Sequence, residues 1–336
     1  MTKISTAHDA PRSRGTISAV YVQRSMNKAS AAERAKKLQL LRGKSLVDRF
    51  PYLYVLPATL MFVGLVAYPI LWVVGESFRG VNGKDFVGFG QYIRAFSDPV
   101  FWRVLRNMFY WGAITIPVQM ILGGSIAYLI ERYTSRSRTF FRVMFFLPVV
   151  TSVSVISIVW AQMYAPYYGI VQEYLKYIGV QLTIAPLGEP NVAIFALILV
   201  NIWQWTGFSM IMYIAGINNI PSELFDAALI DGAQGWNLVV RIVVPLLSPV
   251  TRSLLLLGVI GTLQTFPIVH LMTDGGPDHA SEIFGTYIFK QGFVIGDTGY
   301  SSALSALVLL LALGLSVLQI AVLGARLTPP TRKSAA

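Results

Sequence analysis

The sequence predicts an all-α polytopic membrane protein that has six transmembrane helices and carries both termini in the cytoplasm. Of the 336 residues, 54% are hydrophobic and 13% are charged, whereas about a quarter of the residues of a soluble domain are charged. Six apolar runs are each long enough for a membrane span, which takes about 20 helical residues. Most of the 27 Lys and Arg residues fall on one side of these runs, and the positive-inside rule makes that side cytoplasmic.

The N-terminal segment, residues 1–50, is polar and basic and contains no apolar core of the kind that a cleaved signal peptide needs. We therefore expect it to remain in the cytoplasm. Residues 31–50 show a weak apolar stripe opposite Lys and Arg, which suits a helix lying on anionic headgroups. A disordered basic tail explains residues 1–30 equally well. The net charge of +11 reflects this placement, and no nucleic-acid-binding motif accompanies it.

The apolar runs make residues 51–325 one membrane domain and leave residues 326–336 as a cytoplasmic tail. The interior of the predicted spans holds no charged residue, and the chain does not repeat itself in two halves. Both observations argue against a secondary transporter or a channel, and the first favours a neutral solute. The predicted spans are Tyr52–Val74, Met108–Ile130, Phe141–Met163, Val192–Ile217, Leu254–Met272 and Ala303–Leu323.

The sequence offers no group of residues suited to catalysis. It has no cysteine and three histidines, of which two, His270 and His279, flank a span end. Neither a thiolate metal site nor a zinc-binding cluster is therefore predicted. Gly43-Lys44-Ser45 imitates the end of a phosphate-binding loop, but Leu38 occupies the position of its first glycine. An integral membrane enzyme is disfavoured, and any ATP must be bound by another chain.

Two segments on the predicted external side carry local structural signals. Asp98 is a suitable N-cap and Pro99 a suitable first helical residue, so a short helix is predicted to lead into the second span. The run Thr273-Asp274-Gly275-Gly276-Pro277 follows the fifth span. Its two glycines and proline predict a tight external turn.

A polar island, residues 220–249, separates the fourth and fifth spans. A helix is predicted to begin at Pro221, which fits the first helical position, and Glu223 in its first turn complements the helix dipole. Ala227-Ala228 provides a shallow surface onto which another backbone could close. Gly232 permits a left-handed residue and thus a sharp turn at the end of this helix.

Beyond the turn, a second short helix is predicted from about Gln234 to Arg241. Pro245 cannot continue this helix, and Val244 before the proline is expected to be extended. The spacing of the whole segment resembles the cytoplasmic EAA loop of the permease subunits of ATP-binding cassette importers, with aspartate in place of the usual glutamate at its first position. The matching residues are Asp226-Ala227-Ala228, Gly232, Ile242 and Pro245.

The external segments resemble the carbohydrate-uptake branch of that family, of the maltose and glycerol-phosphate type. The matching residues are Phe86, Gly88, Tyr92, Asp98-Pro99, Phe101 and the run from Thr273 to Pro277. The resemblance implies a permease subunit of a binding-protein-dependent importer that moves a sugar, such as a di- or oligosaccharide or a related polyol compound, across the cytoplasmic membrane of a prokaryote. A permease for amino acids or peptides is the alternative, because the EAA loop is common to these branches.

The resemblance also implies partners and a mechanism. The partners are a second homologous permease, two copies of an ATPase and an external solute-binding protein, and the ATPase pair rather than this chain binds ATP and Mg²⁺. The helix of the EAA loop would sit in a groove of one ATPase and transmit its closure to the spans by alternating access. The residues assigned to this coupling are Glu223, Asp226, Ala227, Ala228, Asp231 and Gly232.

Polar side chains within the spans are candidates for solute contact, since they should face the interior of the helix bundle. Asn201, Trp205 and Ser209 recur at intervals of four and therefore share one face of the fourth span. Gln204 on the same span and Gln264 on the fifth complete the candidate set. Amides with tryptophan suit the hydroxyls and the apolar ring face of a neutral sugar. Such residues also join transmembrane helices to each other, which is the alternative interpretation.

Overall fold

The computed structural model describes residues 52–133, 137–179 and 185–324, together with Ser30, Glu33 and Arg34. The described part is mostly helical and contains no β-strand, only an isolated antiparallel bridge between Arg79 and Phe86. Except for those three residues, the predictions for segment 1–50 and for tail 326–336 concern residues outside these ranges. The chain divides into two units, Met1–Pro69 and Ile70–Ala336.

Four helices are long and apolar enough to cross a membrane, and the number rises to six if each of two bent pairs counts as one span. This confirms the predicted all-α polytopic membrane fold. The first of the four, Tyr54–Glu76, is a continuous helical run that contains a π-turn at Val63–Ala67, and the parts before and after this π-turn are numbered α1 and α2. In chain order the helices are α1 (Tyr52–Phe62), α2 (Tyr68–Glu76), α3 (Gly90–Ser97), α4 (Pro99–Tyr133), α5 (Arg138–Val150), α6 (Val153–Met163), α7 (Ile170–Tyr177), α8 (Ala193–Asn218), α9 (Ser222–Ile230), α10 (Trp236–Leu246), α11 (Ser248–Leu263), α12 (Pro267–Met272), α13 (Phe284–Phe289) and α14 (Thr298–Gly324).

The third predicted span is not one straight helix. Its two parts, α5 and α6, meet at an angle of 93°, and Thr151 and Ser152 between them are extended. Pro148 supplies no N–H to the last turn of α5. The Thr151 hydroxyl donates to the Leu147 carbonyl at 2.9 Å, in the place that a backbone N–H of a further helical turn would take. Pro148 and Thr151-Ser152 mark the break in the sequence, but the apolar residues on both sides of it predicted one continuous span.

The fifth predicted span is also wrong in its limits. α11 begins at Ser248, ends at Leu263 and is followed by the separate helix α12. Phe266 precedes a proline and has left the helical region, with φ −146° and ψ −60°. Pro267 then starts α12, because its missing N–H costs nothing at a first helical position.

The helix α8 lies at the centre of the second unit, and more than half of its residues are buried. It packs against α4 and α5. A Cβ placed on Gly207 would lie 2.1 Å from the Phe145 carbonyl oxygen of α5. The two backbones therefore approach as closely as small residues allow in membrane helix packing.

Gly207→Ala is expected to lower the thermal unfolding temperature of the purified protein, because overpacking at such a contact costs about 1–3 kcal/mol. Gly314→Ala is the matched control, since a Cβ on Gly314 of α14 would meet nothing within 4 Å. The measurement is thermal unfolding in detergent for both variants. Equal unfolding temperatures for the two variants would show that the α5–α8 contact is looser than described.

Asp98 is the N-cap of α4, as predicted: the Val100 N–H donates to its Oδ1 at 2.8 Å. The predicted helix begins at Pro99 and leads into the second span, but it is continuous with that span and not a separate short helix: α4 runs without a break for 35 residues. The separate helix α3 precedes it. Asp98 also accepts hydrogen bonds from the hydroxyls of Tyr300, at 2.7 Å, and Tyr287. Burial opposes ionisation of Asp98, but these hydrogen bonds outweigh it and hold the pKa of the carboxyl below its ordinary value of 3.8.

Asp98→Asn is expected to lower the unfolding temperature at neutral pH, because hydrogen bonds to a charged group contribute about 1.5–3 kcal/mol before solvent exposure reduces them. Since the folded pKa is lowered, this stabilisation is complete above pH 3.8 and is lost as the pH falls through the folded pKa. The difference between wild type and variant should therefore vanish well below pH 3.8. Asp85→Asn, at an exposed carboxylate, is the control, and a pH-independent difference at Asp98 would contradict the assignment.

The run from Thr273 to Pro277 forms the predicted tight turn. The Gly276 N–H donates to the Thr273 carbonyl at 2.9 Å, and the Ser281 hydroxyl donates to the Gly276 carbonyl at 2.6 Å. Gly275 has φ +80°, a conformation that glycine adopts without strain. The turn folds over Glu282, which is fully buried and paired with Lys290 at 3.0 Å.

Candidate solute cavity and coupling segment

All five residues predicted for solute contact line one cavity of about 440 Å³. Its walls come from α4, α8 and α11, from the turn between α11 and α12, and from the first residues of α6 and α12. A cavity of this size lies within the range of about 300–1,000 Å³ that is usual for small-molecule sites. The five residues are Asn201, Gln204, Trp205, Ser209 and Gln264.

Gln204 is the most unusual residue of this cavity. Its side chain is fully buried, yet among the described residues neither its Nε2 nor its Oε1 has a hydrogen-bond partner. A buried polar group left without a partner costs about 1–3 kcal/mol. Such groups call for an explanation, and an amide that borders a cavity has the capacity to bind a ligand hydroxyl as both donor and acceptor.

Asn201 is held by Gln119 of α4, a residue that the sequence reasoning missed. The Gln119 Nε2 donates to the Asn201 Oδ1 at 3.0 Å and to its carbonyl oxygen at 3.2 Å. Because the Asn201 amide oxygen accepts this hydrogen bond, the Asn201 NH2 group is the part of the amide that can donate to a molecule in the cavity. The available signal was an amide in the middle of the second predicted span.

The other predicted residues occupy different parts of the cavity wall. Trp205 packs edge-on against Phe208, with ring centroids 6.3 Å apart. Ser209 is buried, whereas Gln264 is exposed at the end of α11. The prediction that residues 201, 205 and 209 share one face is consistent with their common place in the cavity wall.

The described residues that line the cavity include no acidic, basic or histidine side chain. Amides and hydroxyls lie beside aromatic rings, among them Trp111, Trp205 and Phe266. This surface can donate and accept hydrogen bonds and can also cover an apolar ring face. It offers no countercharge, so a charged solute would lose its hydration without compensation.

Residues 220–249, to which the sequence assigns the coupling role, are called the coupling segment below. Its first helix, α9, begins one residue later than predicted, so that Pro221 is the N-cap. The acidic candidates Glu223, Asp226 and Asp231 are exposed, as is Ala227. Ala228 is instead buried, with 5% of its surface exposed. The predicted shallow surface for a partner backbone is therefore provided by Ala227 alone, because Ala228 packs within this chain.

Gly232 ends α9 in the left-handed conformation that was predicted, with φ +77°. Its N–H donates to the Leu229 carbonyl at 3.1 Å, and the N–H of Ala233 donates to the Ala228 carbonyl at 2.9 Å. These two bonds form a Schellman motif, which satisfies the last carbonyls of the helix. A Cβ on Gly232 would meet nothing within 4 Å, so backbone conformation rather than space requires glycine here.

The second helix of the segment differs from its prediction. α10 starts at Trp236 and continues through Pro245 to Leu246 before it meets α11 at 65°. Val244 is helical, with φ −59° and ψ −47°, and not extended. A π-turn at Val239–Val243 precedes the proline, and this wider turn lets the helix pass a residue that cannot donate a hydrogen bond.

The coupling segment also presents large apolar side chains outward. Ile230 is 87% and Trp236 is 78% exposed, and Leu224 is exposed as well. They lie among the exposed carboxylates Glu223 and Asp226 of α9 and Asp231 directly after it. Apolar side chains concentrated within an acidic, exposed segment are typical of a protein-binding surface.

Several known proteins are similar to this chain in sequence or in fold. The family model described as "Binding-protein-dependent transport system inner membrane component" matches residues 119–327. A probable ABC transporter permease protein of Bacillus subtilis is 36% identical over 276 residues, which cover 80% of this chain and 94% of that protein. The lactose transport system permease protein of Rhizobium radiobacter is 32% identical over 275 residues, covering 80% and 92%. The trehalose/maltose transport system permease protein of Thermococcus litoralis is 30% identical over 275 residues, covering 81% and 92%.

Among solved structures, a crystal structure of a bacterial alginate ABC transporter in complex with an alginate pentasaccharide-bound periplasmic protein contains a chain of the same fold. The TM-score is 0.71 at 23% identity, and the match covers 83% of this chain and 96% of that one. At this identity the likeness concerns the fold.

Proposed function

This chain belongs to the family of binding-protein-dependent transport system inner membrane components, and from that membership we propose that it is the permease subunit of an importer for a neutral sugar or related polyol. The observation that carries the proposal is the uncharged cavity, in which Gln204 is fully buried and has no described hydrogen-bond partner. A sugar hydroxyl entering this cavity would provide that partner. The names of the relatives for lactose and for trehalose and maltose support the same class of substrate.

Each of these residues of the cavity wall has a proposed role in binding the solute. Gln204 would donate to one hydroxyl and accept from another, while the free amide donor of Asn201 would bind a third oxygen. Trp205 would cover the apolar face of the sugar ring. Gln119 donates to the Asn201 amide oxygen and therefore positions it, and Gln119 itself also lines the cavity.

Transport would proceed by alternating access, with energy supplied by a partner ATPase that binds ATP and Mg²⁺. The exposed carboxylates Glu223, Asp226 and Asp231 suit a basic groove of that ATPase, and Ile230 and Trp236 suit an apolar part of it. Closure of the ATPase pair would push α9, and the turn at Gly232 would pass that movement to α10 and α11. This chain itself would carry out no covalent chemistry.

The proposed assembly contains this chain, a second homologous permease, two ATPase copies and an external solute-binding protein. It would lie in the cytoplasmic membrane of a prokaryote, with the coupling segment facing the cytoplasm. A periplasmic protein accompanies the solved alginate transporter of the same fold, which supports the presence of such a binding protein here.

Uptake by cells with and without the gene tests the proposed substrate class. The panel contains neutral mono- and disaccharides, anionic sugars such as uronates and sugar phosphates, and amino acids. We expect gene-dependent uptake of a neutral sugar and none of the anionic ones, because the cavity offers no countercharge. Gene-dependent uptake restricted to amino acids or to anionic sugars would overturn the proposal.

A further inference from the structure

The short helix α7 carries a continuous apolar face that the rest of the chain leaves uncovered. Ile170, Tyr174, Tyr177 and Ile178 are each between 56% and 88% exposed. Their spacing of four, seven and eight residues places them on one side of a helix, and we call this set the tyrosine face. Lys176, which is also exposed, lies on the other side of the helix, whereas the exposed Glu173, three residues after Ile170 and four before Tyr177, borders the tyrosine face.

The direction of the tyrosine face is fixed by packing. Val171, beside the face, is partly buried and packs against the main hydrophobic core. This contact limits rotation of α7 about its own axis. Val171 is three residues before Tyr174 and seven before Ile178, so the tyrosine face lies beside the core contact and has a defined direction.

The distance of α7 from the end of α6 is fixed by a tight turn. The Gly169 N–H donates to the Ala165 carbonyl at 3.0 Å. A Cβ on Gly169 would lie 2.4 Å from the carbonyl oxygens of both Met163 and Ala165, so the backbone folds back directly on the last turn of α6. The pair α5 and α6 has the length and composition of one span bent by 93°, and we take the start of α7 as the boundary of that span.

A span boundary lies in the headgroup layer, which adds roughly 5–7 Å on each side of a hydrocarbon core of about 30 Å. Tyrosine is enriched in this layer because its ring is apolar and its hydroxyl reaches water. The turn before α7 adds Tyr167 and Tyr168, which are 94% and 71% exposed. In water these side chains would expose a large apolar surface, whereas in the headgroup layer they match their surroundings.

We propose that α7 is an interfacial helix that lies in the headgroup layer with its tyrosine face turned toward the lipid. The occupant of the face is thus the bilayer surface, and Lys176 on the opposite side meets water and anionic headgroups. The helix holds the end of the third span at a constant depth. This inference does not depend on the substrate, the ATPase or the direction of transport.

Site-directed spin labelling tests the proposal, and the absence of cysteine from the chain means that each variant has a single labelling site. The full chain is reconstituted in vesicles of phosphatidylethanolamine and phosphatidylglycerol with a label at Tyr174→Cys or Tyr177→Cys. Lys176→Cys is the matched control on the other side of the same helix. Collision rates of each label with oxygen, which concentrates in lipid, and with a water-soluble nickel complex are then measured.

We expect the ratio of oxygen to nickel collisions to be several-fold higher at the two tyrosine positions than at the Lys176 control. Equal access of the nickel complex to all three labels would show that α7 is surrounded by water and would overturn the proposal. Low access of both reagents to the tyrosine positions would show that protein covers the face, which would also overturn it. Two positions on the tyrosine face keep the result interpretable if one of these variants does not fold.

Discussion

Gly232→Pro is expected to abolish solute transport by the assembled importer while ATP hydrolysis continues. Proline requires φ near −65°, whereas Gly232 has φ +77°. The substitution also removes the N–H that donates to the Leu229 carbonyl. The change of φ and the missing N–H both disrupt the Schellman motif between α9 and α10, and they cost about 3 kcal/mol or more of local conformational free energy. Transport and ATPase activity are measured in parallel in vesicles that contain the whole assembly.

Two controls separate this coupling role from general damage. Gly179→Pro changes a glycine of similar φ, +84°, which also has no neighbour within 4 Å and also donates its N–H to a carbonyl three residues before it. This variant lies outside the coupling segment and should transport normally. Gly232→Asn should retain most of the activity, because asparagine tolerates the left-handed region. Full transport by Gly232→Pro would count decisively against the coupling role.

Gln204→Leu is expected to make the protein more stable and the transporter less effective at the same time. The leucine removes two buried polar atoms without described partners, whose burial costs about 1–3 kcal/mol. It also removes the hydrogen bonds proposed for the sugar, and a loss of about 1.4 kcal/mol corresponds to a tenfold weaker affinity. The measurements are thermal unfolding in detergent and the concentration dependence of uptake.

Gln319→Leu is the matched control for this variant. Gln319 of α14 also has a buried amide oxygen without a described partner, but it does not line the cavity. Its replacement should raise the unfolding temperature and leave uptake unchanged. If Gln204→Leu behaves in the same way, or if it destabilises the protein, Gln204 is a structural residue and the alternative interpretation of the polar span residues is correct.

Features that depend on neighbouring residues in the chain could be predicted from the sequence. Asp98 caps α4 because a short acidic side chain next to a proline satisfies a free N–H of the first turn. Gly232 adopts a positive φ because few other residues can end a helix in this way. The existence of the apolar spans follows from composition alone.

Features that depend on contacts between distant helices could not be predicted in this way. Pro148 and Thr151-Ser152 mark the break between α5 and α6 locally, but the 93° angle between the two helices is not local, because α5 is placed by a backbone contact with Gly207 of α8. The Gln119–Asn201 pair joins residues 82 positions apart, so no local pattern reveals it. Ala228 is a coupling candidate by motif, yet the fold buries it, because a motif does not say which side of its helix packs internally.

ATPase activity of the complete assembly tests the central claim most directly. The chain is co-expressed with its candidate ATPase, second permease and binding protein, reconstituted in lipid, and exposed to a panel of neutral mono- and disaccharides. The account predicts that one neutral sugar stimulates hydrolysis and that changing Asp226 and Gly232 together removes the stimulation. Stimulation by amino acids or peptides alone, or failure of the chain to assemble with any ATPase, would contradict the account.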